Sequence, residues 1–258
     1  MSVSLILDYS GTVCTEAPRL AIPENLDKAL QSSGLKTMGM DVFAYWNKVV
    51  LPYWDIAKKG EISLLECIER AAIHRISGGY TISAKKFVKI FMSMLYPHML
   101  WEKAIRSFIE NSIRIVIATE HYKEAAEAIE SYLIERNIIS AIYPHKAPCT
   151  IVCSSNIGEA KDSGVFWDAV KDAAEGAERL IYVDDFNLNE AEFLSGKDID
   201  KKTHLEKMLK NSSRFLTIMG AKEIDIFPFV LENIFADKGE LEKELATKIR
   251  QIENAVYV

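Results

Sequence analysis

Three runs of unbroken apolar residues, at 5–7, 115–118 and 180–183, each stop on a polar group: Asp8, Thr119 and Asp184. A strand that is apolar at successive positions needs cover on both faces, which is the situation of an interior strand in a parallel sheet. Helical spacing lies between these runs. Ala125, Ile129 and Leu133 recur every four residues, and Phe166, Val170 and Ala173 form a similar stripe. Strands alternating with helices specify an α/β fold, here a Rossmann-like three-layer sandwich around a central parallel sheet. The strand-like runs are Ser4–Tyr9, Ile113–Thr119, Thr150–Cys153, Leu180–Val183 and Phe215–Met219.

Residues 17–98 break that rhythm. No strand pattern is visible there, and helical stretches near 24–34, 41–58, 62–76 and 83–95 are separated by Pro and Gly. The expectation is an inserted α-helical domain at 17–98 within a core made of 1–16 and 99–258. Residues 190–213 read as an additional polar, helical segment. The stripe Leu241, Leu245, Ile249, Ile252 and Val256 predicts an amphipathic C-terminal helix docked on the core, with dimerisation as the alternative.

The chain has 258 residues and a net charge of −6. That acidity argues against a nucleic-acid partner, which calls for a basic face, but leaves room for a small anionic ligand. Cys14, Cys67, Cys149 and Cys153 form no metal-binding or redox spacing and read as buried thiols, as in the cytoplasm. No signal peptide or membrane span is apparent. A monomer or homodimer fits.

A carboxylate ending a buried strand is costly unless it is paired, protonated or metal-bound. Asp8 stands in that place, and Gly11 allows a tight turn after it. The C-terminal edge of such a sheet is where ligands bind. Thr119 brings a hydroxyl to that edge, Lys161 an ammonium from a polar loop, and Asp184 and Asp185 two further carboxylates, with Asn189 four residues on. Each has an ordinary structural explanation alone. Together they are hard to explain without a ligand.

In this order the segments resemble the haloacid dehalogenase superfamily, most of whose members are phosphohydrolases. Asp8-Tyr9-Ser10-Gly11-Thr12 matches its DxDGT motif, and Thr119 its second motif. Ser154, Ser155, Gly158 and Lys161 match the third, with Trp167 in the aromatic place and Asp162-Ser163-Gly164 where Pro-Asp-Pro is usual. Asp184, Asp185 and Asn189 match the fourth. The resemblance implies a Mg²⁺-dependent phosphatase or phosphotransferase acting on a small phosphorylated metabolite. Asp8 would be the nucleophile. Asp8, the backbone carbonyl of Ser10, Asp184 and Asp185 would hold the metal. Thr12, Thr119, Glu120 and Lys161 would contact substrate, and the insert would be a cap hinged near Ala17–Ala21 and Tyr96–Met99.

The departure is Ser10, which replaces the acid that in the family protonates the leaving oxygen. Losing general acid help costs about 10²–10⁴ in rate. The resemblance offers four accounts. The substrate's leaving group needs no proton, as in an acyl phosphate. The aspartyl phosphate is long-lived, as in ion-pumping ATPases. The bond cleaved is C–P or C–halogen, with Lys48 considered as a Schiff-base lysine. Or the protein binds phosphoesters without turning them over. Glu120 and His121 are the nearest substitutes for the missing acid. Tyr45, Trp46, Tyr53 and Trp54 promise core packing in the insert or an aromatic pocket, and His74–Arg75 an anion contact.

Overall fold

The computed structural model describes residues 1–72, 78–189, 200–232, 234 and 237–257. Six parallel strands form one sheet in the order β3-β4-β2-β1-β5-β6. They are β1 (Val3–Leu7), β2 (Arg114–Thr119), β3 (Ser140–Ile142), β4 (Cys149–Cys153), β5 (Arg179–Asp184) and β6 (Glu223–Pro228). Leu7 pairs with Ile117 on one side and Val183 on the other. The next residue, Asp8, therefore leaves the centre of the sheet level with Asp184 and one position short of Thr119. The strand order reverses direction at β1, the position where open α/β sheets bind ligands.

Alternation of side chains divides the sheet residues between two cores. On one face Leu5, Leu7, Ile117, Ile151 and Val183 pack with α7 (Met99–Glu110), α8 (Ala125–Glu135) and α12 (Lys238–Val256). On the other, Ile6, Val116, Val152 and Tyr182 pack with α10 (Gly164–Ala173), which follows the single turn α9 (Ser154–Ile157), and with α11 (Lys201–Ile218). This is the expected three-layer sandwich. The stripe from Leu241 to Val256 is buried in the first of these cores, which accounts for it without a second copy of the chain.

Between β1 and β2 lie α1 (Glu16–Leu20), α2 (Pro23–Ser33), α3 (Val42–Tyr45), α4 (Leu51–Ala57), α5 (Leu64–Ala71) and α6 (Gly78–Ser93), and no strand among the described residues. These helices gather around a separate hydrophobic cluster that includes Leu30, Val49, Ile68 and Phe87. A π-helical turn, Trp46–Val50, joins α3 to α4. Pro52 explains it: without an N–H, the ring cannot continue the regular bonding of the preceding turn. The two connections to the sheet are tied to each other. The Tyr9 hydroxyl donates to Leu95 O at 2.5 Å, and His98 N donates to Val13 O at 2.9 Å.

Two strand expectations need correction. Phe215–Met219 is not a strand; its described residues belong to the end of α11 and its cap. Leu216 and Met219, three apart, are its buried residues, which is helical spacing. The sixth strand is instead Glu223–Pro228, a half-buried edge strand whose acidic residues hid it. β3 was not expected either, being three half-buried residues long. Of the segment 190–213, residues 201–213 are helical, and 190–199 lie outside the described residues, as do His74 and Arg75.

Candidate active site

Asp8, Asp184 and Asp185 meet at the C-terminal edge of the sheet. Each offers a carboxylate oxygen, and these atoms lie within 4.8 Å of one another. Lys161 Nζ stands 2.5 Å from Asp8 Oδ1 and 3.0 Å from Asp184 Oδ2. All three acids are buried. Among the described residues Lys161 pairs with Asp8 and Asp184, and three buried carboxylates this close together offer the oxygen ligands that a divalent cation takes. Burial pushes the Asp8 carboxyl up to about 7, with Lys161 opposing and Asp184 adding to the rise. Burial disfavours the Lys161 charge, but Asp184 and Asp8 hold its pKa well above the ordinary value.

The backbone makes this convergence feasible. Gly11 has φ +82°, and a Cβ there would stand 2.5 Å from Asp185 Oδ2. Only glycine lets the first loop pass so close to that carboxylate. Asp185 accepts from the N–H groups of Asn187 and Asn189 at 3.1 and 3.0 Å. Asn189 joins three loops: its amide donates to Gly11 O at 2.7 Å and Phe229 O at 2.9 Å, and its oxygen accepts from Leu231 N at 2.8 Å. Asp184 accepts from Phe186 N at 2.6 Å and from the Tyr182 hydroxyl. Tyr182 escaped sequence reasoning because it reads as one more apolar strand residue.

Lys161 is held from both sides. Glu120 Oε1 accepts from its N–H at 2.7 Å, and the Trp167 indole donates to its carbonyl at 2.6 Å. Glu120 thus serves the loop that carries Lys161. Thr119 is 1% exposed, and its Oγ1 has no hydrogen-bond partner. An unpaired buried hydroxyl at the edge of this cluster is a donor awaiting an acceptor. His121 Nε2 is also buried without a partner. Burial, with Lys161 nearby, lowers the His121 pKa to about 4. The ring is therefore neutral at pH 7 and has no proton to give as an acid from its charged form.

These groups border a cavity of about 820 Å³. Asp8, Ser10, Thr119, Glu120, Lys161 and Asp184 line it, while Asp185 is buried and is not among the lining residues. Thr12 is fully buried and is not among the lining residues, so the expected substrate contact is not made from the cavity wall. The insert contributes Tyr45, Trp46, Val50, Leu51 and Trp54, several of them from the π-helical turn and its flanks. Tyr53 packs on the insert's own cluster. Lys48 is exposed and does not line the cavity, which removes the basis for a Schiff-base role. The four cysteines are buried and form no disulfide. No helix among the described residues is long and apolar enough to cross a membrane.

No protein-family model and no curated protein matches the chain. Solved structures do. The crystal structure of the L-2-haloacid dehalogenase PA0810 aligns with a TM-score of 0.50 and 9% identity, over 98% of this chain and 100% of that one. An L-2-haloacid dehalogenase from Xanthobacter autotrophicus, with chloropropionic acid covalently bound, gives 0.46 and 10%, over 91% and 97%. A HAD family enzyme from Bacteroides thetaiotaomicron, in complex with magnesium and inorganic phosphate, gives 0.45 and 11%, over 92% and 100%.

Proposed function

We propose that this chain, which has the haloacid dehalogenase-like fold, is a Mg²⁺-dependent phosphohydrolase or phosphotransferase that works through Asp8. One observation carries the reading: the Asp8–Asp184–Asp185 cluster, with Lys161 paired to the first two and the unpaired Thr119 hydroxyl beside them in the wall of one cavity. Asp8 attacks phosphorus; its bond to phosphorus forms as the bond to the leaving group breaks, and water then hydrolyses the aspartyl phosphate. Thr119 and Lys161 bind phosphoryl oxygens, and Lys161 offsets their charge in the transition state. Asp8, Asp184, Asp185 and the backbone carbonyl of Ser10 would hold Mg²⁺, which supplies charge neutralisation between the carboxylate and the phosphate. Residues 17–98 act as a cap over the core of 1–16 and 99–258, excluding water.

The geometry also bears on Ser10. Glu120 is engaged with the Lys161 backbone, and His121 is neutral. Neither replaces the missing acid. We therefore favour a substrate whose leaving group departs without a proton, such as an acyl phosphate. The same observation supports a second reading, a phosphoester binder without turnover. A phosphatase screen with Mg²⁺ on wild type, Ser10→Asp and Asp8→Asn separates them. The enzyme reading expects phosphate release from acyl phosphates that Asp8→Asn abolishes, and a gain of about 10²–10⁴ on ordinary esters in Ser10→Asp. Ligand-dependent stabilisation with no phosphate release from any variant would leave the binder.

A further inference from the structure

The catalytic reading leaves one wall of the cavity unused. Met208, Asn211, Ser212 and Phe215 of α11 line it at intervals of three and four, so one face of that helix looks into the cavity. Arg214 lines it too, from the exposed edge of that face beside Asn211. A small phosphate would not need this wall, since cavities of several hundred cubic ångströms hold much larger ligands.

The charges around the cavity single out Arg214. Among the described residues, three that line it carry a lysine or arginine charge: Lys58, Lys161 and Arg214. Lys58 pairs with Asp55 at 3.5 Å, and Lys161 with Asp8 and Asp184. Among the described residues Arg214 has no carboxylate partner. Asp8, Asp55, Glu120, Asp162 and Asp184 all line the same space. Lys58 and Lys161 are each already paired with an acid of that lining.

We infer that α11 forms a second subsite, in which Arg214 binds a further anionic group of the substrate. This rests on the phosphoryl site proposed above and narrows its substrate to a phosphorylated molecule with a second anion at its far end. The middle of such a molecule would run along Met208 and Phe215. Carboxylate and phosphate share the chemistry that a guanidinium recognises, through paired N–H donors.

Calorimetric titration in the presence of Mg²⁺ tests this without requiring turnover. The probes are inorganic phosphate, alkyl phosphates of increasing chain length, and the matched series ending in a carboxylate or a second phosphate. In wild type, one length of a doubly anionic series should bind about fivefold tighter than its alkyl counterpart, the scale of a partly exposed ion pair. Whichever terminus gains names the anion. Arg214→Gln should erase that margin, Arg214→Lys should keep part of it, and neither should change the affinity for inorganic phosphate. A wild type with no margin at any length, or a margin that survives Arg214→Gln, overturns the subsite while leaving the phosphoryl site standing. Failure of inorganic phosphate itself to bind with Mg²⁺ present removes the phosphoryl site and the subsite with it.

Discussion

At the scale of single residues, the site depends on side chains that hold one another. Glu120 accepts the Lys161 N–H, a bond that a glutamine oxygen can also accept. Glu120→Gln should therefore keep most of the turnover, whereas Glu120→Ala should lose about tenfold to a hundredfold through misplacement of Lys161. If Glu120 were the substitute acid, glutamine would be as damaging as alanine, and steady-state kinetics on the two variants decides it. His121 makes a second prediction. Its pKa is lowered to about 4 from 6.5, so in the acid range the unfolded chain takes up a proton that the folded chain refuses. The stability associated with the neutral ring is complete above pH 6.5 and is lost as pH falls toward 4, by about 3 kcal/mol in all. The difference in unfolding free energy between wild type and His121→Asn should shrink by that amount across the window. Parallel pH profiles for the two proteins would refute it.

At the scale of elements, the insert is fastened to the sheet domain by the opening turn of α5. Ser63 caps that helix with Glu66 in a reciprocal pair, and Glu124, from the start of α8, accepts from Leu64 N and Leu65 N at 3.2 and 3.3 Å. An acid from one layer thus completes the N-terminus of a helix in another, where both the free N–H groups and the helix dipole favour negative charge. Gly60, with φ +74°, lies so near the Ser155 carbonyl that a Cβ would stand 2.1 Å from it, and Lys59 pairs with Glu159 at 3.5 Å close by. Tyr122 extends from the core into the insert's hydrophobic cluster, edge-on to Trp54 and Phe91. Glu124→Ala should cost about 1 kcal/mol, read from chemical denaturation, and Glu124→Gln less, since it keeps an acceptor. An unchanged midpoint in the alanine variant would mean that Ser63 and Glu66 suffice.

At the scale of the whole molecule, the sheet gathers buried oxygen donors at one edge. Folding brings Asp8, Asp184 and Asp185 together, with Lys161 paired to the first two. Binding a cation to the folded state alone stabilises it by mass action. At about a hundred times its Kd, Mg²⁺ should add about 2.7 kcal/mol. Thermal unfolding with and without the ion measures the gain, and Asp185→Asn should abolish most of it. An equal shift in that variant would place the ion elsewhere.

The sequence by itself marked the interior strands and the helices around them through its hydrophobic periods, and it marked the polar residues at the ends of the buried strands. Those signals are local: burial on both faces of a strand, or on one stripe of a helix, is written into the spacing of a few neighbouring residues. It also exposed Ser10 as a departure from the motif it resembles. Edge elements were not legible. Glu223–Pro228 carries acids because half of it faces water, and Phe215–Met219 is apolar enough to pass for a strand until its neighbours give it a helical partner. Only the tertiary structure decided what the site residues do for one another. Glu120 became a support for Lys161, Asn189 a clamp across three loops, and Arg214 part of the cavity wall, because each role depends on a partner brought near by the fold rather than by the chain.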